Sequence, residues 1–202
     1  MNKNAPQLVF APGVCLHMDP SVRLADFFFS HFCDNVPTHP HRDSNTELIE
    51  SIHVVIAIEN TELRFGHDES YEINFRAPTT TVSANEIWGV RHALETLLQL
   101  NDNDTPRNQE QTIYDAPSFP WRGLLLDTSR HFLPERDIMR QLQAMAMSKM
   151  NVFHWHLTDA QSFPFLLKSR PELATRGAHK PGMWYDAASI RRVVGFAEKM
   201  GV

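Results

Sequence analysis

Between Trp121 and Pro164 the apolar positions change their spacing twice, and the order of those changes predicts three elements. Arg122 to Asp127 is a short apolar run, Pro134 to Lys149 repeats at helical spacing, and Asn151 to Leu157 is a second apolar run. A strand, a helix and a strand within about 40 residues is the βαβ pattern of a parallel sheet. Ile138, Leu142, Met145 and Ala146 make the buried stripe of that helix. Pro134 takes its first helical position, and Glu135 and Asp137 stand in the first turn, where the helix dipole favours acids. Met139, Met145, Met147 and Met150 read as core packing. Thr158 to Tyr185 reads as loop. Asp186 then caps a further helix with the stripe Ile190, Val193, Val194 and Ala197, which stops at Gly201, and Val202 begins a third strand.

The earlier part of the chain has a different rhythm. Asp19-Pro20 caps a helix whose apolar residues are Val22, Ala25, Phe28, Phe29 and Phe32, followed by a proline- and histidine-rich loop from Val36 to Thr46. An alternating run from Ile52 to Glu59 and a second at Tyr71, Ile73 and Phe75 have the period of half-buried strands, with Thr79 to Val82 as a hairpin partner. Ser83-Ala-Asn-Glu86 has the capping-box form and precedes an apolar stripe of Ile87, Val90, Leu94, Leu97 and Leu98. Strands followed by helices predict a sheet covered on one side. The expected fold class is therefore an α+β N-terminal domain, a sheet with helices on one face, at residues 1–117. It is followed at residues 118–202 by the first βαβα units of an α/β barrel.

At 202 residues and 42% apolar content the chain can bury one large core or two small ones. The net charge of −5 argues against a nucleic-acid partner, which leaves a basic patch. No apolar run approaches the roughly 20 residues of a membrane-spanning helix, and the proline-interrupted start makes a poor signal peptide. Cys15 and Cys33 flank the first helix and are either a disulfide, in a secreted or lumenal protein, or two buried thiols. Asn103-Asp-Thr105 is a glycosylation sequon, weakened by Pro106. His31, His39, His41 and His53 lack metal-ligand spacing and read as solvated loop histidines.

Chemistry gathers at the carboxyl ends of strands in α/β barrels and open α/β sheets. Here Asp127-Thr-Ser-Arg130-His131 follows one apolar run and Thr158-Asp159-Ala-Gln161-Ser162 the other. Arg130 either clamps an anion, forks onto paired hydroxyls, or pairs with Asp127 or Glu135. Asp159 either orients a histidine, acts as a base, or caps the next turn. His154 and His156 form an HxH pair on one side of a strand, for which buried, hydrogen-bonded histidines are the better reading than a metal site. No GxSxG, HExxH, CxxC or phosphate-binding glycine loop occurs, and no metal or cofactor is expected. The one Asp-Glu dipeptide, Asp68-Glu69, precedes a strand of the first domain.

The segments Trp121 to Pro134, Met147 to Phe165 and Arg170 to Ala178 closely resemble β-N-acetylhexosaminidases of glycoside hydrolase family 20. In that family the arginine of the first segment precedes the aspartate of the second by 29 residues, the separation of Arg130 and Asp159 here. Asp68 to Tyr71 and Ala84 to Thr96 resemble the family's non-catalytic α+β domain. The resemblance implies a (β/α)₈ TIM barrel as the second domain and removal of terminal N-acetylglucosamine or N-acetylgalactosamine from glycans, glycolipids or chitin oligomers. Arg130 would grip hydroxyls of the terminal sugar, and Asp159 would orient a histidine supporting the general-acid glutamate. Neither metal nor protein nucleophile takes part, because the substrate's acetamido oxygen attacks the anomeric carbon, an exception to the two-carboxylate scheme. The resemblance further implies a lysosomal or secreted location and a homodimer.

Two departures stand out. Many members carry an acid or serine where this chain has Ala160. The adjacent Asp-Glu pair that steadies the acetamido group and supplies the acid lies further along in the family than Val202. The expectation is accordingly a hexosaminidase fragment that is inactive alone. The rival readings are a non-catalytic sugar-binding or interaction protein on the same fold, and an unrelated barrel enzyme with an HxH metal site.

Overall fold

The computed structural model describes residues 9–17, 25–35, 48–58, 62–76, 78–102 and 111–202. Two compact units emerge, Met1–Ser118 and Phe119–Val202.

The first unit is built on a five-stranded sheet in the order β1-β2-β4-β3-β5. Its elements are β1 (Val9–His17), α1 (Ala25–Asn35), β2 (Leu48–Ile56), β3 (Tyr71–Arg76), β4 (Thr79–Ala84), α2 (Ile87–Asp102) and β5 (Gln111–Asp115). β2 runs parallel to β1 and β4, whereas β3 is antiparallel to β4 and β5. Alternation decides the faces. Ile52, Val54, Ile73, Phe75 and Val82 are buried, while His53 and Val55 are exposed. α2 lies against β2, β3 and β4 and against α1, filling the buried side with Ile87, Trp88, Val90, Leu94 and Leu97. The backbones close tightly there: a Cβ on Gly89 would sit 2.2 Å from the Ser70 carbonyl oxygen, so only glycine admits this approach.

Two expectations for this unit change. Ser83 belongs to β4, opposite Glu72, so the capping box does not form and α2 starts three residues later than it would require. Asn85 instead donates from its side chain to Asp68 at 2.6 Å. His31 and His53 are exposed, but on α1 and β2 and not on a loop. Asp19-Pro20, Val22, the loop from Val36 to Thr46, His39, His41, Asn103 and the side chain of Cys15 lie outside the described residues, and with them the disulfide and glycosylation readings.

The second unit contains β6 (Gly123–Asp127), α3 (Glu135–Met147), β7 (Val152–His156), α4 (Pro171–Gly177) and α5 (Ala187–Met200). β6 and β7 pair in parallel, from Gly123 opposite Val152 to Asp127 opposite His156. α3 and α5 pack together. Ile138, Leu142, Met145, Tyr185 and Val193 are buried among Leu124, Leu126, Phe153 and Trp155 from one face of the strand pair. Asp186 caps α5 by accepting from Ser189 N at 2.7 Å, and Gly201 ends it at φ +72°, a left-handed conformation suited to glycine.

Here too the chain departs from the periodic reading. Pro134 is the N-cap residue of α3, extended at ψ 149°, and its carbonyl accepts from Asp137 N and Ile138 N. Val194 and Met147 are 55% and 52% exposed, at the edges of stripes whose centres are buried. Val202 donates its N–H to Ala197 O at 3.0 Å, closing the end of α5. α4 falls within the stretch read as loop. Pro171 at its start, Glu172 in its first turn and Arg176 in its last are the signals of a helix only seven residues long. Among the described residues no helix is long and apolar enough to cross a membrane.

Candidate active site

The candidate site begins at the last residue of β6. Asp127 turns its carboxylate back on the chain that follows, and Oδ1 accepts from Ser129 N at 3.0 Å and Arg130 N at 3.1 Å. This is an Asx-type turn, with a short acid bonding to the main chain two and three residues on. Oδ2 of the same carboxylate accepts from Arg130 Nε. The Arg130 side chain is half exposed, and its Nη1 reaches across to the end of β7, where it donates to Asp159 Oδ2 at 2.5 Å.

Asp159 is anchored as closely. Its Oδ1 accepts from Ala160 N at 2.6 Å, Oδ2 accepts from His156 Nε2 at 3.0 Å, and its own N–H donates to Ser162 O at 2.9 Å. These contacts, the Ala160 N–H foremost, then His156 and the Arg130 charge, outweigh partial desolvation and hold its carboxyl below the usual range. At Asp127 partial desolvation pushes the carboxyl up, but the bonds from Arg130 and Ser129 together hold it down as well. The bond to Asp127 in turn raises the Arg130 guanidinium above its ordinary value. One cation thus stands between two ionised carboxylates.

Buried hydroxyls fix the two loops to each other. Ser129, fully buried, donates from Oγ to Ser162 O at 2.7 Å, the carbonyl that also receives Asp159 N. Ser162 Oγ donates to Gly177 O at the end of α4, and His179 Nε2 donates to Ser129 O at 3.1 Å. Below them Trp155 Nε1 donates to Thr128 Oγ1, and Thr128 N extends the β6–β7 ladder to His156 O. Tyr185 stacks on Phe132 and donates its hydroxyl to Leu133 O.

Arg130 and Asp159 therefore come together, and Arg130 pairs with Asp127. Glu135 does not join them, because it is taken by Arg192 in a two-pronged pair at 2.7 and 2.8 Å. Asp159 has a cap-like bond to Ala160 alongside its side-chain partners. His154 is exposed, its ring 6.5 Å from that of His156, and His156 turns to Asp159. Among the described residues no three His, Cys, Asp or Glu side chains are placed to hold a metal. Ser129, Ser162 and His179 were not singled out as site residues from the sequence. Two serines in polar clusters were the visible signal, but their partners lie 15 to 50 residues away.

Comparison with known proteins bears on this geometry. A family model described as glycosyl hydrolase family 20, catalytic domain, matches residues 119–202, and one described as beta-acetyl hexosaminidase like matches residues 16–100. The chain belongs to glycosyl hydrolase family 20. This family 20 chain is 35% identical, over 98% of its length, to the beta-hexosaminidase subunit beta of Rattus norvegicus. It is 41% identical, over 76% of its length, to the chitooligosaccharidolytic beta-N-acetylglucosaminidase of Bombyx mori. Among solved structures, the chitobiase of Flavobacterium johnsoniae superposes with a TM-score of 0.73 at 32% identity, covering 98% of the chain. The chain spans 38%, 28% and 30% of the lengths of these three proteins, respectively.

Proposed function

We propose that this chain is the front part of a β-N-acetylhexosaminidase, with residues 1–117 as its non-catalytic α+β domain and residues 118–202 as the opening of its catalytic (β/α)₈ barrel. The observation that carries the reading is the meeting of Arg130 and Asp159 at the carboxyl ends of two adjacent parallel strands, where barrel enzymes assemble their sites. Arg130 binds hydroxyls of a terminal N-acetylglucosamine or N-acetylgalactosamine. A planar guanidinium suits this role, since it presents paired donors at fixed spacing to neighbouring oxygens. Asp159 is the positioning carboxylate for a histidine that supports the general acid. Ionised and exposed at one edge, it accepts an imidazole N–H without taking a proton itself. The acetamido oxygen of the substrate attacks the anomeric carbon, the leaving oxygen takes its proton from the general acid, and water then opens the cyclic intermediate with retention.

The one Asp-Glu dipeptide in residues 1–202 belongs to the first unit, where Asp68 accepts from Ser70 and Asn85 and Glu69 accepts from His92 Nε2. On this reading residues 1–202 supply the sugar-gripping and orienting groups, and the Asp68-Glu69 pair is not the acid. Loss of a general acid alone costs about 10²–10⁴-fold in rate. Saturable release of N-acetylglucosamine by this segment alone would overturn that part of the reading.

The deciding experiment is hydrolysis of a chromogenic N-acetyl-β-glucosaminide by the natural protein and its Arg130→Ala variant. The expected loss in kcat/KM is about a hundredfold or more per folded molecule, as for removal of a charge-assisted bidentate contact. Undiminished kcat/KM would overturn the assignment. A lysosomal or extracellular location and assembly as a homodimer accompany this reading, and fractionation and sedimentation of the natural protein test them.

A further inference from the structure

The last register position of the β6–β7 pair sets Asp127 opposite His156, directly beneath the Arg130–Asp159 bridge. Asp127 sits on a strand whose hydrogen-bond ladder continues past it, through Thr128 N to His156 O at 3.0 Å, so its backbone has little freedom. Its carboxylate meets Arg130 twice, at the main chain through Oδ1 and at the side chain through Oδ2. Two grips on one residue, closed through one rigid carboxylate, determine the direction of the guanidinium. Nη1 is then drawn to Asp159. Among the described residues Nε and Nη1 are the guanidinium nitrogens engaged by carboxylates, on a side chain that is 52% exposed, so Nη2 is left for a ligand.

We infer that Asp127 is a positioning residue for sugar recognition, holding Arg130 so that its Nη2 edge faces the hydroxyls of the terminal hexosamine. The inference rests on the function proposed above. Its physical basis is pre-organisation: a long exposed arginine otherwise samples many rotamers, and fixing it before the sugar arrives removes an ordering cost from binding. His156 does the same for Asp159 from the facing strand end, so each of the two strands supplies one supporting group.

Asp127→Asn separates the two grips. The amide oxygen can still accept from Ser129 N and Arg130 N and keep the turn, but the amide nitrogen then faces Arg130 Nε donor to donor. In the natural protein the expected result is a rise in KM for an N-acetyl-β-glucosaminide of about tenfold, with a smaller change in kcat per folded molecule. In the Arg130→Ala background the same change should add no further loss, because nothing remains to be positioned. A merely structural role would lower the active fraction and leave KM alone. The inference is overturned if Asp127→Asn stays within about twofold of wild type while Arg130→Ala is impaired, or if the losses of the two variants add. If Arg130→Ala is itself unimpaired, the sugar-gripping reading of Arg130 fails first, and this inference falls with it.

Discussion

Arg130 Nη1 and Asp159 Oδ2 meet at 2.5 Å although 29 residues separate them in the chain. The helix α3 and the strand β7 fill that interval and β6 ends just before it, so the contact is made by the geometry of the βαβ unit itself. The parallel crossover returns β7 beside β6 with both carboxyl ends on one side, and each end is followed at once by its polar cluster. The Ser129–Ser162 hydrogen bond then holds the two loops at this distance.

The depressed carboxyls of Asp127 and Asp159 set the sign of the site's pH dependence. A group whose folded pKa lies below its unfolded value, 3.8 for these aspartates, stabilises the fold above that value and loses the contribution as pH falls through the folded pKa. The melting-temperature gap between wild type and Asp159→Asn should therefore be constant from neutrality down to about pH 5 and close only in stronger acid. A gap that opens on acidification would contradict the ion-pair geometry.

Gly89→Ala should destabilise the first unit by about 1–3 kcal/mol, the usual range for overpacking. The added methyl would meet the Ser70 carbonyl oxygen, just before β3, at 2.2 Å and the Ala84 Cβ, at the end of β4, at 2.9 Å. Urea unfolding followed by circular dichroism measures the loss, and a neutral substitution would show that α2 can back away from β3.

In the second unit Leu142 is fully buried and Val194 is 55% exposed, although both lie on periodic helical stripes. Leu142→Ala should cost about 2–5 kcal/mol through lost burial and a cavity. Val194→Ala should stay within about 0.5 kcal/mol. Equal effects in denaturant unfolding would refute the orientation of α5.

Tyr185→Phe removes one oxygen and keeps both ring contacts, the stack on Phe132 and the edge on Trp155 at 4.9 Å each. The hydroxyl donates to Leu133 O at 2.5 Å and accepts from Leu133 N at 3.3 Å, joining the loop before α3 to the segment before α5. Its loss should cost about 1–2 kcal/mol, as for a buried bond with one partner left unmet. Thermal unfolding of the variant checks this, and an unchanged melting temperature would mean the loop is held by the ring stack alone.

Local patterns located most of the elements. The stripe Ile138, Leu142, Met145 and Ala146 is buried as its spacing implies, Tyr71, Ile73 and Phe75 line one face of β3, and Asp186 and Gly201 bound α5. Such signals span a few residues, because helix and strand periods repeat within one turn or one pleat. α4 was too short to establish a period, Ser83 was drawn into the β3–β4 ladder, and Val194 fell at the margin of the α5 stripe. The polar clusters that close two adjacent apolar runs pointed to Arg130 and Asp159 as neighbours, and their side chains do meet. The order within that site came only with folding: Asp127 claimed Arg130 Nε, Arg192 claimed Glu135, and Ser129 found a carbonyl 33 residues away. Those choices depend on cross-strand register and on which side chains three segments bring within hydrogen-bond reach, quantities that no window along the chain contains.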